Sequence, residues 1–247
     1  LAEQTGYDRI VAFAQRLGLP AGIKPTPALA LGAYELSPLE IAAGYTAFGN
    51  FGVSCRPVML RKVITRNGEL VQKSVLQRKA VLDPRVAYLV TSILQDVIDR
   101  GTGAGVRVRG FSAPAAGKTG TSHDGWFAGY TSNLLCVTWV GFDDNRELNL
   151  SGAASAGPIW AEFMKRAVRL PAYSNVQQFE RPEGVISVPI DPDTLQLACD
   201  GCPVTREEVF IAGTEPVEVC RLHGGERGFA PFSWLRRVFR RETPKAE

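Results

Sequence analysis

Hydrophobic residues recur at helical spacing, every three or four positions, in four parts of the chain. The second part opens with Ser37, Pro38 and Glu40, which predict an N-cap, a first helical residue and a capping box. The third opens with Asp83 before Pro84, which predicts another capped start. The four predicted helices lie within residues 6–20, 37–52, 83–103 and 157–171, and the last of them is also expected to have a capped start.

Short segments rich in β-branched and aromatic residues fill the middle of the chain and predict strands. Asn67-Gly68 lies between two alternating runs and predicts a hairpin. Further on, three segments follow one another with only brief turns between them, which is typical of adjacent antiparallel strands. They lie within residues 118–122, 125–132 and 133–145. Helices before and after this strand group predict an α+β fold, in which helices cover an antiparallel sheet.

The last quarter of the chain has a different character. Residues 171–184 have the Pro-, Ser- and Asn-containing composition of a linker, and short β-like pieces alternate with turns beyond them. The end, residues 232–247, is basic and amphipathic, which indicates a frayed, solvated helix rather than a surface for an anionic partner. We therefore predict an α+β domain over residues 1–173 and a linker with a small β-rich extension over residues 174–247.

Composition and charge exclude several classes of protein. Hydrophobic residues make up 45% of the chain and charged residues 21%, an ordinary balance for a globular protein. The net charge of +3 is too small to indicate nucleic-acid binding. No apolar run approaches the roughly 20 residues of a membrane helix. The chain opens with Leu1 in helix-like sequence, so we expect a piece of a longer protein with any targeting segment upstream.

The segment AAGKTGTSHDGWFAGY, residues 115–130, carries the candidate chemistry. A phosphate-binding loop is disfavoured, because its first glycine is missing and strand-like sequence follows instead of a helix. In a strand, Thr119 and Thr121 project from one face, and Lys118 and Gly120 from the other. Two hydroxyls beside an ammonium group suit the carboxylate end of a peptide that lies along a strand edge. The alternative is an ordinary hairpin with a solvated lysine.

Lys-Thr-Gly is also one of three signatures of the penicillin-recognising serine acyl-transfer enzymes. Three stretches agree with one family in order and spacing: LGAYELSPLEIAAGYTAFGNFG, DRGTG and AAGKTGTSHDGWFAGYTSNLLCVTWVGFDDN. Residues 1–170 resemble the transpeptidase domain of class A penicillin-binding proteins, the bifunctional cell-wall synthases. The stretch EEVFIAGTEPVEVCRLH resembles the tail that many of these synthases carry.

The resemblance implies a D,D-transpeptidase that cross-links peptidoglycan stem peptides through a serine acyl-enzyme and is acylated by β-lactams. It implies that Thr119 and Thr121 bind the terminal carboxylate and that the Thr121 N–H forms half of an oxyanion hole. Lys118 would support proton transfer, and Gly120 would keep the strand face unobstructed. The resemblance implies no cofactor. It places the protein at the extracytoplasmic, periplasmic face of the bacterial inner membrane, with an anchor and a glycosyltransferase domain upstream of this chain.

Two of the three family signatures are missing from the chain. No serine is followed by a lysine three positions later, and none has an asparagine two positions later. In the family both motifs lie N-terminal to the segment that begins at Leu1, so we expect the chain to start just after them and to be inactive alone. The alternative is a non-catalytic cell-wall interaction module. Sequence upstream of Leu1 distinguishes the two.

Four residues near the end form a Cys-x₂-Cys and a Cys-x₂-His pair, a spacing compatible with a structural zinc site. They are Cys199, Cys202, Cys220 and His223. A disulfide from Cys199 or Cys202 to Cys220 is favoured over zinc, because disulfides persist outside the cytoplasm where the family acts. Free thiols are the third possibility.

Overall fold

The structure, a computed structural model, describes residues 1–224. The basic helix predicted at residues 232–247 lies outside the described residues. The chain divides into two compact units, of which the first is Leu1–Val185 and the second begins at Ile186. The domain boundary predicted after residue 173 stays a prediction. No helix in the described part of the chain has the length and hydropathy needed to cross a membrane.

The predicted helices are present in the first unit, with shorter bounds than the sequence suggests. Within residues 1–224 the α-helices are α1 (Ala2–Thr5), α2 (Tyr7–Arg16), α3 (Pro38–Gly49), α4 (Pro84–Asp99), α5 (Gly105–Val108) and α6 (Ala156–Ala167), and a 3₁₀ helix spans Pro27–Leu31. The capping box of α3 is confirmed: Ser37 Oγ accepts from the Glu40 N–H at 3.3 Å, and Glu40 Oε2 accepts from the Ser37 N–H at 2.7 Å. Asp83 caps α4 as predicted, since its carboxylate accepts from the Arg85 N–H at 2.8 Å. The capped start expected for α6 is wrong in one respect, because no side chain caps it.

The strands of the described residues form two-stranded ladders and one three-stranded sheet. They are β1 (Val53–Cys55), β2 (Lys62–Ile64), β3 (Leu70–Lys73), β4 (Arg78–Ala80), β5 (Ala116–Thr121), β6 (Gly125–Tyr130), β7 (Leu135–Val140), β8 (Val185–Ile190) and β9 (Arg206–Ile211). The hairpin predicted at Asn67-Gly68 joins β2 and β3, and Gly68 takes the positive φ of +85° that this turn requires. The three consecutive strands predicted further on form an antiparallel sheet in the order β5-β6-β7.

Helices cover both faces of this sheet, which confirms the predicted α+β architecture. On one face, Trp160 of α6 is fully buried and its ring lies 4.8 Å from that of Phe127. A Cβ atom at Gly129 would come within 2.8 Å of the Trp160 ring, so glycine at this position of β6 lets α6 approach. Tyr130, which projects to the opposite face, packs with Leu94 of α4 and with residues of α3. The sheet is therefore held rigidly between two helical layers.

The segment that the sequence assigns to a linker is anchored to the turn between β6 and β7. Asn133 donates its side-chain N–H groups to the carbonyl oxygens of Tyr173 and Asn175 at 3.3 and 3.2 Å. The Gln177 N–H donates to Ser132 Oγ at 2.8 Å. These bonds keep the segment beside the end of the sheet.

The second unit is small and built on one strand pair. β8 and β9 form a two-stranded sheet. Isolated bridges join Ile190 to Leu197 and Leu197 to Val219, so the stretch around Leu197 is held on both sides. This confirms the short β-like pieces predicted beyond the linker.

Candidate substrate-binding strand and thiol cluster

The Lys-Thr-Gly-Thr run forms the C-terminal end of β5. In the part of the chain that the structure describes, β5 pairs only with β6, so its other edge is open. The register pairs Thr119 with Phe127 and Thr121 with Gly125, and residues directly opposite one another project from the same face. Both threonines therefore lie on the face that α6 covers. An open strand edge presents unpaired N–H and C=O groups to an extended peptide.

The Thr119 hydroxyl has a specific partner that the sequence does not reveal. Thr119 is only 9% exposed, and its Oγ1 lies 2.7 Å from Oγ1 of Thr102, in the turn after α4. Thr102 is part of the stretch DRGTG, where its neighbours Gly101 and Gly103 pass close to the Val97 backbone. The glycine-rich turn thus brings a second hydroxyl against the strand.

The Thr121 hydroxyl is held from the side of the loop that precedes α6. Thr121 is exposed, and its Oγ1 accepts a hydrogen bond from the Gly152 N–H at 2.9 Å. A Cβ atom at Gly152 would lie 2.0 Å from the Gly120 carbonyl oxygen and 2.5 Å from that of Trp126. Only glycine allows this loop to approach the strand closely enough to make the bond.

The Lys118 side chain is exposed and lies along the strand. Its Nζ donates to the Thr119 carbonyl oxygen at 2.6 Å. The positive charge is therefore within a few ångströms of the backbone between the two threonines. The four candidate residues of the sequence analysis, 118–121, all lie on β5. The structure adds two residues that contact the threonines, Thr102 and Gly152.

A cavity of about 300 Å³ lies at the other end of the sheet. Its lining includes Thr91, Asn133 and Phe179, near the Tyr130 end of β6. The length of β5 separates this end from Thr121 by about 17 Å, at roughly 3.3 Å per residue. The cavity is thus remote from the Lys-Thr-Gly-Thr run.

In the second unit the structure gathers three of the four predicted zinc ligands and adds one that the sequence missed. The oxygen, sulfur and nitrogen atoms of Asp191, Cys202, Cys220 and His223 all lie within 4.8 Å of one another. Cys199 lies beside this group, with its Sγ 3.4 Å from that of Cys202. The favoured disulfide to Cys220 is not formed: all five cysteines lie within residues 1–224, and each of them is a free thiol there.

Hydrogen bonds perturb the ionisation of this group. The Cys220 thiol, then the Asp193 N–H and the His223 ring, hold the pKa of Asp191 well below its usual range. The Asp191 carboxylate in turn raises the pKa of His223. Asp191 directly follows β8, and its distance in sequence from the cysteines matches no metal-ligand motif. Its place in the cluster is therefore visible only in the folded structure.

Protein-family models and a solved structure match this chain over most of its length. A family model described as the penicillin-binding protein transpeptidase domain matches residues 7–165. A second model, the C-terminal domain of penicillin-binding protein 1A, matches residues 181–225. The crystal structure of penicillin-binding protein 1A from Haemophilus influenzae superposes with a TM-score of 0.79 and 28% identity, over 88% of this chain and 38% of that one.

Two curated relatives show how much of a longer protein this chain matches. Penicillin-binding protein 1A of Aquifex aeolicus is 34% identical over 228 residues, which cover 89% of this chain and 30% of that protein. Penicillin-binding protein 2D of Bacillus subtilis is 30% identical over 223 residues, which cover 87% of this chain and 32% of that protein. The chain thus spans about a third of the length of these relatives. The family match confirms the resemblance seen in the sequence: this chain belongs to the penicillin-binding protein transpeptidase family.

Proposed function

We propose that the chain is the part of a class A penicillin-binding protein that holds the carboxylate end of the substrate during peptidoglycan D,D-transpeptidation. The observation that carries the proposal is the open edge of β5, with Lys118, Thr119 and Thr121 within four consecutive residues. The substrate is a stem peptide that ends in D-Ala-D-Ala, and β-lactams compete for the same strand. The family match over residues 7–165 supports this role over a non-catalytic interaction module.

Hydrogen bonding leaves the Thr121 hydroxyl proton free for a carboxylate, and it leaves the Thr119 proton free in the arrangement in which Thr102 is the donor. Thr121 Oγ1 already accepts from the Gly152 N–H, so its own proton points elsewhere. When Thr102 donates to Thr119, the same holds for Thr119. Two hydroxyl donors and the Lys118 ammonium then recognise one carboxylate, and charge-assisted bonds of this kind are about twice as strong as neutral ones.

The oxyanion hole uses the backbone of the same strand. Alternate residues of an antiparallel strand direct their N–H and C=O groups to the same edge. The Thr119 carbonyl accepts from Lys118 Nζ, so the Thr121 N–H shares the edge along which that ammonium lies. There it would donate to the oxygen of the scissile carbonyl as negative charge develops on it.

The reaction needs a nucleophile from the rest of the protein. A serine hydroxyl attacks the carbonyl carbon between the two D-alanines and transfers its proton to a base; the C–N bond breaks, and the departing D-alanine amine takes up a proton. An amine of a second stem peptide then attacks the ester, which forms the cross-link and restores the serine. Lys118 would stabilise the carboxylate of the first peptide and support these proton transfers. No serine of this chain has the required lysine, so the chain by itself forms no acyl-enzyme.

The setting of the reaction follows from its substrate. Stem peptides are cross-linked outside the cytoplasm, so the domain would work at the periplasmic face of the inner membrane. The upstream part of the same protein would supply the nucleophile and the membrane anchor. The proposal needs no cofactor, because serine acyl transfer uses only protein groups.

Acylation by a fluorescent penicillin tests the proposal. In the longer protein that carries this chain, Lys118→Ala should slow acylation by roughly 10- to 150-fold, the loss of one charged hydrogen bond. Thr138→Val, in β7 of the same sheet, should leave the rate unchanged. The isolated chain should give no covalent band. Unchanged acylation in the Lys118 variant, or a stable band with the isolated chain, would refute the proposal.

A further inference from the structure

Three separate segments of the second unit bring potential metal ligands to one point. Asp191 follows β8, Cys202 closes the Cys-x₂-Cys turn, and Cys220 and His223 lie on the segment that pairs with Leu197. Their ligand atoms all lie within 4.8 Å of one another. Asp191 and Cys220 are 29 positions apart in the sequence. Such convergence does not arise from local sequence.

Backbone hydrogen bonds fix each segment in place. The Cys220 N–H donates to the Leu197 carbonyl at 2.8 Å, and the Asp191 N–H donates to that of Gln196 at 2.9 Å. A Cβ atom at Gly201 would lie 2.1 Å from the carbonyl oxygen of the opposing histidine turn, so glycine lets the two turns meet. The ligand positions are therefore set by the fold and not by side-chain freedom.

The buried carboxylate is the centre of the group. Asp191 is 1% exposed, and its Oδ2 lies 2.7 Å from Cys220 Sγ and 2.9 Å from His223 Nδ1. Cys220 is itself only 3% exposed. The thiol and the carboxylate both approach the same ring nitrogen, with Sγ to Nδ1 at 3.5 Å. A catalytic Cys-His-Asp arrangement would use both ring nitrogens, so the group is not a nucleophilic triad.

A single cation would satisfy all four groups at once. We propose that this cluster binds one Zn²⁺ through four protein ligands. The ligands are Asp191 Oδ2, Cys202 Sγ, Cys220 Sγ and His223 Nδ1. Two thiolates, one imidazole and one carboxylate form a donor set that zinc prefers, and four protein ligands without an open position mark a structural site.

The distances fit a tetrahedron after a small adjustment. Zinc bonds of about 2.0–2.3 Å put tetrahedral ligands about 3.3–3.8 Å apart. The separation of 3.5 Å between Cys220 Sγ and His223 Nδ1 matches, whereas the Asp191 oxygen is nearer to both. Zinc would displace the shared protons and move the carboxylate outward by about 0.5–1 Å, the difference between these spacings.

Cys199 has a supporting role in this arrangement. Its backbone N–H donates to Cys202 Sγ at 3.2 Å, a bond that stabilises the thiolate form of Cys202. A disulfide between Cys202 and Cys220 would use both sulfurs and leave the buried carboxylate and the imidazole without a metal-binding role. The zinc site accounts for all four side chains and does not depend on the proposed transpeptidase activity.

Metal analysis of the exported, full-length protein tests the proposal. The expected result is one zinc per chain, and Co²⁺ substitution should give the absorption bands of tetrahedral cobalt–thiolate. Asp191→Asn and His223→Gln should each weaken zinc binding by at least tenfold, since even outer-shell changes cost that much. Cys199→Ser is the matched control and should keep its zinc, which also distinguishes this ligand set from one that uses Cys199.

Three results would overturn the proposal. The first is a protein without zinc in which mass spectrometry finds a disulfide to Cys220. The second is loss of zinc in the Cys199→Ser variant together with full binding in Asp191→Asn. The third is a cobalt spectrum without thiolate bands. The wild-type measurements decide the matter even if a variant fails to fold.

Discussion

The hydroxyl of Thr102 offers a test of how the proposed substrate-binding strand β5 is organised. Thr102→Val keeps the shape of the side chain and removes the bond of 2.7 Å to Thr119. Because Thr102 is exposed, we expect the free energy of unfolding to fall by no more than about 1 kcal/mol. The effect should appear instead in the orientation of the Thr119 hydroxyl.

The magnitude follows from the kind of bond that is lost. A hydrogen bond between neutral groups contributes about 0.5–1.5 kcal/mol. If this bond holds Thr119 in the rotamer that binds the carboxylate, its loss should slow acylation about 2- to 13-fold, since about 1.4 kcal/mol corresponds to a factor of ten in rate. Thr119→Val would remove the proposed bond to the substrate carboxylate, about 1.5–3 kcal/mol, and should slow acylation by roughly 10- to 150-fold.

A double-mutant cycle separates positioning from simple destabilisation. The second-order rate constant of acylation by a fluorescent penicillin is measured for the longer protein, for both single variants and for the double variant. If Thr102 acts only through Thr119, the double variant should be no slower than Thr119→Val alone. Thr138→Val serves as the control for the same substitution elsewhere in the sheet. Additive effects of the two substitutions, or an unchanged rate in Thr102→Val, would contradict the reasoning.

Four further predictions concern stability, measured by urea unfolding of this chain. Gly152→Ala should destabilise it by about 2–4 kcal/mol, because the new Cβ meets backbone carbonyl oxygens at 2.0–2.5 Å and the bond to the strand is lost, whereas Gly105→Ala, in open space, should not. Trp160→Ala should cost about 3–5 kcal/mol, since the side chain is fully buried; a loss below 1 kcal/mol would contradict the packing described. Ser37→Ala should cost about 1 kcal/mol through the loss of the α3 cap, and an unchanged midpoint would argue against that cap. Burial raises the pKa of Tyr45 to about 12. The contribution of this shift to the free energy of unfolding is therefore complete below the unfolded pKa near 10 and is lost as the pH rises through about 12. Tyr45→Phe should make the decline of the free energy of unfolding over this range shallower, and an identical slope would refute the assignment.

Local signals in the sequence were sufficient for the four longer helices and the main sheet, whereas the short helices α1 and α5 and the 3₁₀ helix were not predicted. Ser37 and Asp83 cap their helices as predicted because a cap depends on residues only two or three positions away. The sheet order was equally accessible, since brief turns between consecutive strands allow only antiparallel neighbours. The bounds were less accurate: the helix predicted over residues 157–171 ends at Ala167.

The sequence by itself indicated which strand carries the proposed binding chemistry, because Lys118, Thr119 and Thr121 lie within four consecutive residues and the alternation of side chains is a property of any strand. Tertiary structure alone decided what surrounds them. Thr102 reaches Thr119 across 17 positions, Gly152 reaches Thr121 across 31, and Asp191 joins the thiols across 29. No periodicity extends over such separations, because the path of the intervening chain is set by the packing of whole helices against the sheet and not by the residues that finally meet.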